Sequence, residues 1–288
     1  MIKGRIIKGV GGLYFVDADN GIFSCNARGI LRKDKIKPAV GDYVSISILG
    51  DESEKTGVIE EIHKRRNMLI RPWVANVDQA IIVFSIVSPA INLDLLDRII
   101  ALAEEQRLEI VICINKADLC SESEILKIKS IYEQVGYKVI SASAFANIGI
   151  TDIKEALAKN TSVFAGPSGV GKSSIVNRLV PSALMEVGEI SDKIRRGKHT
   201  TRHAELLRVE NNNGFVVDSP GFSNVSFSHI KRSELKYYFK EFGDNDKCKF
   251  LDCLHLNEPS CYVKEQVCNG ILQIRYNRYI RFLDDCGD

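Results

Sequence analysis

The chain lacks several features that would place it in a special class. No apolar run among its 288 residues is long enough to span a membrane, which argues against an integral membrane protein. Residues 1–5 lead directly into strand-like sequence rather than into a secretory leader, and low-complexity tracts and internal repeats are also missing. A hydrophobic content of 45% and a charged content of 26% are ordinary for a folded globular protein. We therefore expect a cytoplasmic, multidomain protein that does not associate with membranes.

The chain also lacks a large excess of either charge. It has 39 Lys and Arg residues and 37 Asp and Glu residues, which give a net charge of +2. The excess lies at the N-terminus, where residues 1–75 hold 13 basic and 9 acidic side chains, or +4 (13 − 9). Within residues 1–68, short β-type runs alternate with glycine turns and predict five strands that form a small barrel. An OB-fold barrel of this size and charge favours nucleic-acid binding, and a purely structural barrel is the alternative.

The first chemical motif lies at residues 166–173, which fit the phosphate-loop template G-x-x-x-x-G-K-S/T. A short apolar strand pattern precedes it and a helical pattern follows it. Glycines let the backbone approach phosphates, and the N–H groups and dipole of a helix N-terminus attract them. We expect Lys172 to reach the β- and γ-phosphates and the Ser173 hydroxyl to hold Mg²⁺. The predicted phosphate-binding residues are Gly166, Pro167, Ser168, Gly169, Val170, Gly171, Lys172, Ser173 and Ser174.

A second motif, N-K-A-D at residues 115–118, selects the base. It follows an apolar run typical of a strand buried on both faces, and the carboxyl ends of such strands bind ligands in open α/β sheets. The Asp118 carboxylate can accept from guanine N1–H and N2–H₂, a donor pair that adenine lacks. After the next strand pattern comes S-A-S at residues 141–143, where we expect the Ala142 N–H to donate to guanine O6. The predicted guanine-binding residues are Asn115, Lys116, Asp118, Ser141 and Ala142.

A third motif, D-S-P-G at residues 218–221, follows another strand pattern. We expect Asp218 to bind Mg²⁺ through water and the Gly221 N–H to contact the γ-phosphate. In the basic stretch before it, the hydroxyl of Thr200 or Thr201 would complete the magnesium shell, as switch I does in GTPases, and we favour Thr201. The alternative for that stretch is a solvated basic loop.

The order of the motifs is inverted. In an ordinary small GTPase the phosphate loop comes first and the guanine-selecting motifs come last, whereas here residues 115–143 precede residues 166–173. Circular permutation of the domain would give this order.

The sequence also lacks the glutamine that follows the D-x-x-G glycine in many GTPases and orients the attacking water. Phe222 stands there, and an apolar ring cannot orient water by hydrogen bonding. His199 is the nearest polar candidate, because a histidine can position water at neutral pH. A solvated loop histidine, with the group supplied by a partner, is the alternative. The predicted catalytic residues are Lys172, His199 and Thr201, and slow intrinsic turnover is expected.

Cysteines are numerous for a protein expected in a reducing compartment, where clusters suggest metal more than disulfides. Among the eight, three form C-x₄-C-x-H-x₅-C with a histidine, a closed tetrahedral set that suits a structural Zn²⁺. The predicted zinc ligands are Cys248, Cys253, His255 and Cys261; unconnected thiols are the alternative. Cys25, Cys113, Cys120, Cys268 and Cys286 are scattered and have no assigned role, although we expect Cys113 in the core.

The last helical pattern, residues 270–282, carries Arg275, Arg278 and Arg281 at three-residue spacing, with two tyrosines between them. This spacing keeps the arginines near one helical face. That face either lies on RNA phosphates with the tyrosines stacking on bases, or it is solvated while the tyrosines pack inside.

With these motifs together, the sequence resembles the circularly permuted, small-ribosomal-subunit-dependent GTPase A family of bacteria (the RsgA/YjeQ type). The resemblance covers essentially the whole chain. It implies an α/β multidomain fold with three segments: an N-terminal OB-fold β-barrel that binds RNA (residues 1–68), a central circularly permuted P-loop GTPase domain (69–225) and a C-terminal helical zinc-binding module (226–288).

The resemblance also implies a function. The family checks the decoding region of the small ribosomal subunit late in maturation and leaves when GTP is hydrolysed, and its switch I histidine matches His199. The implied ligands are GTP or GDP, Mg²⁺ and one structural Zn²⁺; the implied partners are the small (30S) subunit and its rRNA, with the protein a monomer. Phe222 keeps an alternative open: a nucleotide-gated rRNA-binding assembly factor in which turnover is incidental.

Overall fold

The computed structural model describes residues 1–29, 37–50, 54–70, 72–181, 204–218, 225–243, 247–269 and 273–287, without the side chains of residues 268 and 269. The chain divides into two compact units. The first comprises Met1–Gln79, Ile150–Phe164 and Lys172–Gly221; the second comprises Ala80–Gly149, Ala165–Gly171 and Phe222–Asp288. The three-segment division at residues 68 and 225 stays a prediction.

The strands of the described residues are β1 (Ile2–Val10), β2 (Leu13–Ala18), β3 (Gly21–Ala27), β4 (Tyr43–Leu49), β5 (Thr56–Ile62), β6 (Met68–Leu69), β7 (Val74–Ala75), β8 (Gln79–Ser85), β9 (Glu109–Asn115), β10 (Lys138–Ser141), β11 (Thr161–Ala165), β12 (Glu205–Arg208) and β13 (Phe215–Asp218). The α-helices are α1 (Leu93–Glu105), α2 (Glu122–Gln134), α3 (Ile150–Ala156), α4 (Lys172–Leu179), α5 (Tyr262–Asn269) and α6 (Gln273–Phe282). No helix in the described part of the chain has the length and apolar character needed to cross a membrane.

The predicted N-terminal barrel is confirmed. Strand β1 pairs antiparallel with β2 and β4, β2 pairs antiparallel with β3, and β5 closes the ring by pairing parallel with β3 and antiparallel with β4. Alternation along the strands turns one set of apolar side chains inward. The barrel core contains Ile6, Val16, Phe23, Val44, Ile46 and Ile59, all fully buried.

The rest of the first unit brings ligand-binding strand ends together. Strand β11 pairs parallel with β13, so both carboxyl ends lie at the same edge of the sheet. Strand β12 pairs antiparallel with β13 and places Glu205 opposite Asp218. The same residue, Glu205, is also the pairing partner of Lys8 on β1.

The second unit combines a parallel strand pair with a helical core. Strands β9 and β10 run parallel, as their apolar sequences predict. Helix α1 begins after Asn92, whose side chain accepts a hydrogen bond from the Leu95 N–H at 3.0 Å. The C-terminal core includes two α1 residues, Ala101 and Leu102, together with Phe227, Leu235, Phe239, Phe242, Tyr279 and Phe282.

Helix α6 corrects one sequence interpretation. Arg275 and Arg278 are buried, and both form ion pairs with Asp97 on α1, so neither is available to RNA phosphates. Glu241 also pairs with Arg275, while Arg281 is exposed and pairs with Asp94. Tyr276 and Tyr279 are buried, as one of the two alternatives predicted. Spacing alone could not reveal this, because Asp97 lies 178 residues from Arg275 along the chain.

Candidate nucleotide and metal sites

The phosphate loop follows β11 and leads into α4, as predicted. Two of its glycines are required by close contacts. Gly166 has φ +130°, and a Cβ there would lie 2.0 Å from the Val83 carbonyl oxygen. Gly171 has φ +93°, and a Cβ there would lie 2.3 Å from Asn115 Nδ2. Val170 is fully buried, and Ser168 and Gly169 are exposed. The loop can therefore present its backbone to an anion.

Asn115 joins the base-selecting motif to the phosphate loop. It is the last residue of β9 and is buried. Its Nδ2 donates to the Val170 carbonyl at 2.7 Å, and its Oδ1 accepts from the Ala144 N–H at 3.2 Å. One side chain thus connects three segments that are far apart in sequence, and its hydrogen bonds hold the binding site together.

Lys116 follows in the left-handed conformation, with φ +61°. Its Nζ donates to the Ser88 carbonyl at 2.7 Å and to the Gly169 carbonyl at 2.9 Å. The side chain is therefore held against the phosphate loop. Asp118 lies in the short 3₁₀ helix Ala117–Leu119 and is exposed, where its carboxylate can meet a ligand.

The Ala142 N–H, predicted to donate to guanine O6, forms a hydrogen bond within the protein in this structure, and its contact with guanine stays a prediction. That group continues the β-ladder and donates to the Ile114 carbonyl at 2.8 Å, while the Ala142 carbonyl accepts from the Ala117 N–H at 2.9 Å. Ser141 ends strand β10 and is half-buried. The backbone of Ala144, two residues later, contacts Asn115 instead. Ala144 was not among the predicted site residues, because no motif marks it.

The magnesium-side residues lie in the first unit. Ser173 and Ser174 are in the first turn of α4, and Asp218 ends β13. Burial is the main cause that raises the pKa of Asp218. The charge of Glu205 raises this pKa further, and the charge of Lys8 lowers it. A divalent cation would relieve both effects, so the carboxylate and the Ser173 hydroxyl fit a hard ion that prefers oxygen ligands. Burial lowers the pKa of Lys172, and a phosphate group beside its ammonium would oppose this effect by favouring the charged form.

Several predicted residues lie outside the described part of the chain. They are His199, Thr200, Thr201, Gly221 and Phe222. Their roles stay predictions.

The four predicted zinc ligands come together in the second unit. Their ligand atoms all lie within 4.8 Å of one another, and all four residues are buried. The Nδ1 atom of His255 lies 3.6 Å from Cys248 Sγ and 3.4 Å from Cys261 Sγ. Ligands of one tetrahedral Zn²⁺, with Zn–N and Zn–S bonds of about 2.1 and 2.3 Å, would be about 3.6 Å apart. Burial lowers the pKa of His255 to about 4, so its imidazole is neutral and ready to coordinate. The donor set fits zinc.

The loop around His255, here called the ligand loop, is held by side chains that were not among the predicted site residues. Glu258 accepts from the Leu254 and Leu256 N–H groups, each at 2.7 Å, on both sides of His255. From α6, Tyr276 donates to the His255 carbonyl at 2.5 Å and Tyr279 donates to the Leu254 carbonyl at 2.9 Å. These bonds restrain His255 in the left-handed conformation, with φ +61°.

Comparisons with known proteins agree with this geometry. The family model described as RsgA GTPase matches residues 62–228, and the RsgA N-terminal domain model matches residues 3–59. The small ribosomal subunit biogenesis GTPase RsgA of Alkaliphilus metalliredigens is 48% identical over 287 residues, covering 99% of this chain and 98% of the relative. The protein of that name from Clostridium perfringens is 48% identical over 286 residues, with the same coverage.

Solved structures lead to the same assignment. YjeQ from Thermotoga maritima superposes with a TM-score of 0.86 at 38% identity, covering 98% of this chain and 97% of that one. YloQ, a circularly permuted GTPase, superposes with a TM-score of 0.83 at 37% identity, covering 99% and 94%. The chain therefore shares the fold of these structures over nearly its whole length, and it belongs to the RsgA family of GTPases.

Proposed function

We propose that this GTPase acts on the small ribosomal subunit late in its maturation and couples GTP hydrolysis to its own release. The observation that carries the proposal is the bonding of Asn115 to both the phosphate loop and Ala144, which prepares a guanine-nucleotide site. The relatives are named small ribosomal subunit biogenesis GTPases, and the partner is inferred from those names. The barrel and the zinc module are the proposed rRNA-contacting parts, and the protein acts as a cytoplasmic monomer.

The residues that select the base lie in the second unit. Asp118, which is exposed in the 3₁₀ helix after β9, accepts from guanine N1–H and N2–H₂. Asn115 and Lys116 keep their bonds to the phosphate loop, so the base and the phosphates are recognised by connected groups. GDP retains all of these contacts, and both GTP and GDP are therefore ligands.

Phosphate recognition uses residues 166–171 through their backbone N–H groups and Lys172 through its ammonium group. Ser173 and Asp218 would hold Mg²⁺, with Thr201 completing the shell. When bound, this ion would neutralise charge on the β- and γ-phosphate oxygens. Gly221 contacts the γ-phosphate and makes the D-x-x-G segment sensitive to hydrolysis.

Hydrolysis forms a bond between a water oxygen and the γ-phosphorus and breaks the bond to the β–γ bridging oxygen, which leaves with GDP. His199 orients that water, because Phe222 occupies the place of the usual glutamine. In the second unit, the four predicted zinc ligands would hold one structural Zn²⁺ and would leave no position open for catalysis.

Steady-state hydrolysis tests the proposal. We expect purified small subunits to stimulate GTP turnover strongly, and we expect no stimulation with large subunits or with ATP. Unstimulated turnover despite tight GTP binding would favour the alternative, a nucleotide-gated rRNA-binding factor in which turnover is incidental.

Replacement of His199 separates the two candidates further. His199→Ala should lower the stimulated rate by about 100-fold or more and leave GTP affinity unchanged, because only water positioning is lost. The matched control is His203→Ala, four residues later in the same basic stretch. Equal rates for the two variants would remove His199 from the mechanism.

A further inference from the structure

Lys236 is an unusual residue of the second unit. It lies in the short 3₁₀ helix Leu235–Tyr238 and is only 2% exposed, although a lysine is almost never fully buried unless it is paired. Its Nζ donates to the Leu251 carbonyl at 2.9 Å and to the Cys253 carbonyl at 3.0 Å. Both partners are neutral, so they satisfy the hydrogen bonds without balancing the charge.

The two carbonyls place Lys236 at the zinc cluster. Cys253 is itself a predicted ligand, and Leu251 is two residues before it. Three thiolates, one neutral imidazole and Zn²⁺ together carry a net charge of −1 (−3 + 0 + 2), and all four ligands are buried. A buried net charge is costly unless an opposite charge lies nearby. Lys236 carries that opposite charge.

Glu258, another charged residue bonded to this loop, has a different role. Glu258 is half-buried and accepts from two backbone N–H groups, so it orders the loop around His255. It adds negative charge and cannot balance the cluster. Lys236 is therefore a buried cation whose side-chain hydrogen bonds join it to the loop that carries Cys253.

We propose that Lys236 is a positioning residue of the zinc site: its ammonium group balances the net negative charge of the metal–thiolate cluster while its hydrogen bonds hold the Leu251 and Cys253 carbonyls. Groups that support metal ligands in this way typically contribute about 10- to 100-fold to metal affinity. This inference rests on the proposed zinc site.

The test is metal affinity in the full-length protein. Apo protein is titrated with Co²⁺, whose absorption bands report tetrahedral thiolate ligation, and Zn²⁺ affinity is then measured by competition with a chromogenic chelator. Lys236→Met removes the charge and the donors, and Lys236→Gln keeps donors without the charge. We expect both variants to bind Zn²⁺ about 10- to 100-fold more weakly while keeping the tetrahedral Co²⁺ bands. Lys231→Met, at an exposed lysine five residues earlier, should bind like the wild type.

Two results would overturn the proposal: affinity within two-fold of the wild type for Lys236→Met, or full affinity for Lys236→Gln, which would leave only a hydrogen-bonding role. If the wild type itself bound no Zn²⁺ or Co²⁺, the zinc site would fail instead, so the two failures are distinguishable.

A stability measurement covers the case in which Lys236→Met folds poorly. Zinc raises the melting temperature by an amount that depends on its affinity for the native state. A lysine that merely supported the fold would lower the melting temperatures of the zinc-loaded and metal-free forms equally. We expect Lys236→Gln to show a smaller zinc-dependent increment than the wild type, and an unchanged increment would contradict the proposal.

Discussion

The two compact units bury an arginine in different ways. In the first unit, Arg5 donates to the Gly41 and Asn76 carbonyls at 3.3 and 3.2 Å, and its guanidinium lies 5.0 Å from the Tyr43 ring and 5.2 Å from the Phe215 ring. In the second unit, Arg275 pairs with the carboxylates of Asp97 and Glu241. One cation is thus held by neutral groups and the other by charges.

The pKa directions follow from this difference. Burial lowers the pKa of Arg5, whose partners are carbonyls and rings. Burial also acts to lower the pKa of Arg275, but Asp97 and Glu241 outweigh it and raise that pKa. Burial of Arg275 in the second unit therefore depends on paired charges, and burial of Arg5 in the first depends on hydrogen bonds and ring contacts. An arginine can thus be buried by two kinds of contact. Substitutions in each unit should show how much each kind contributes to stability.

Zinc removal should have the largest effect and should be confined to the second unit. The ligand cysteines belong to the same core as Phe239, Phe242 and Tyr279, so loss of the ion should loosen that core. Hydrogen exchange before and after chelation measures this for each segment. We expect faster exchange over residues 247–267 and unchanged protection in barrel strands β1–β5, which serve as the internal control. Equal loosening of the barrel would contradict the account.

Asp97→Asn should destabilise the protein by about 3 kcal/mol, because it leaves Arg275 and Arg278 buried with less compensating charge. Denaturant titration gives the free energy of unfolding. The control is Asp17→Asn in the first unit, which breaks the partly exposed pair with Arg208 and should cost at most about 1 kcal/mol. Similar costs for the two variants would show that burial of the Asp97 pair has no energetic consequence.

Arg5→Met should cost less, about 1 kcal/mol, since it removes hydrogen bonds and ring contacts without leaving a charge unpaired. Asn76 Nδ2 still donates to the Gly41 carbonyl at 3.1 Å. The same titration compares this variant with Asp97→Asn. A larger loss for Arg5→Met would reverse the contrast between the units.

Thiol reactivity should show the smallest difference between the units. Burial raises the pKa of Cys25 to about 11 in the first unit and that of Cys113 to about 12 in the second. The thiolate is the reactive form, and at pH 8 about one Cys25 thiol in a thousand would be ionised. We expect iodoacetamide to spare both in the folded protein and to modify the half-buried Cys120 first. Unfolded protein, in which every thiol reacts, is the control; rapid labelling of Cys113 would show that its core opens.

Local patterns predicted much of this structure. The strand and helix patterns predicted on either side of residues 166–173 match β11 and α4, because apolar periodicity acts over a few residues. The spacing of Cys248 to Cys261 likewise predicted a cluster that the structure assembles.

Long-range partners could not be predicted in this way. Arg275 is buried because Asp97 lies on a helix far back in the chain, and no periodicity encodes that pairing. Lys236 lies 17 residues before Cys253, with no motif to connect them. The hydrogen bond from the Ala142 N–H to the Ile114 carbonyl extends the ladder past the last strand residue, and a strand pattern alone does not fix where such a ladder ends.

We propose that the bound nucleotide controls the affinity of the protein for the small ribosomal subunit. The most direct measurement is the affinity for purified small subunits with a non-hydrolysable GTP analogue and with GDP. We predict binding at least about 10-fold tighter with the analogue, and by reciprocity tighter analogue binding when subunits are present. Equal affinities in the two nucleotide states would contradict the account.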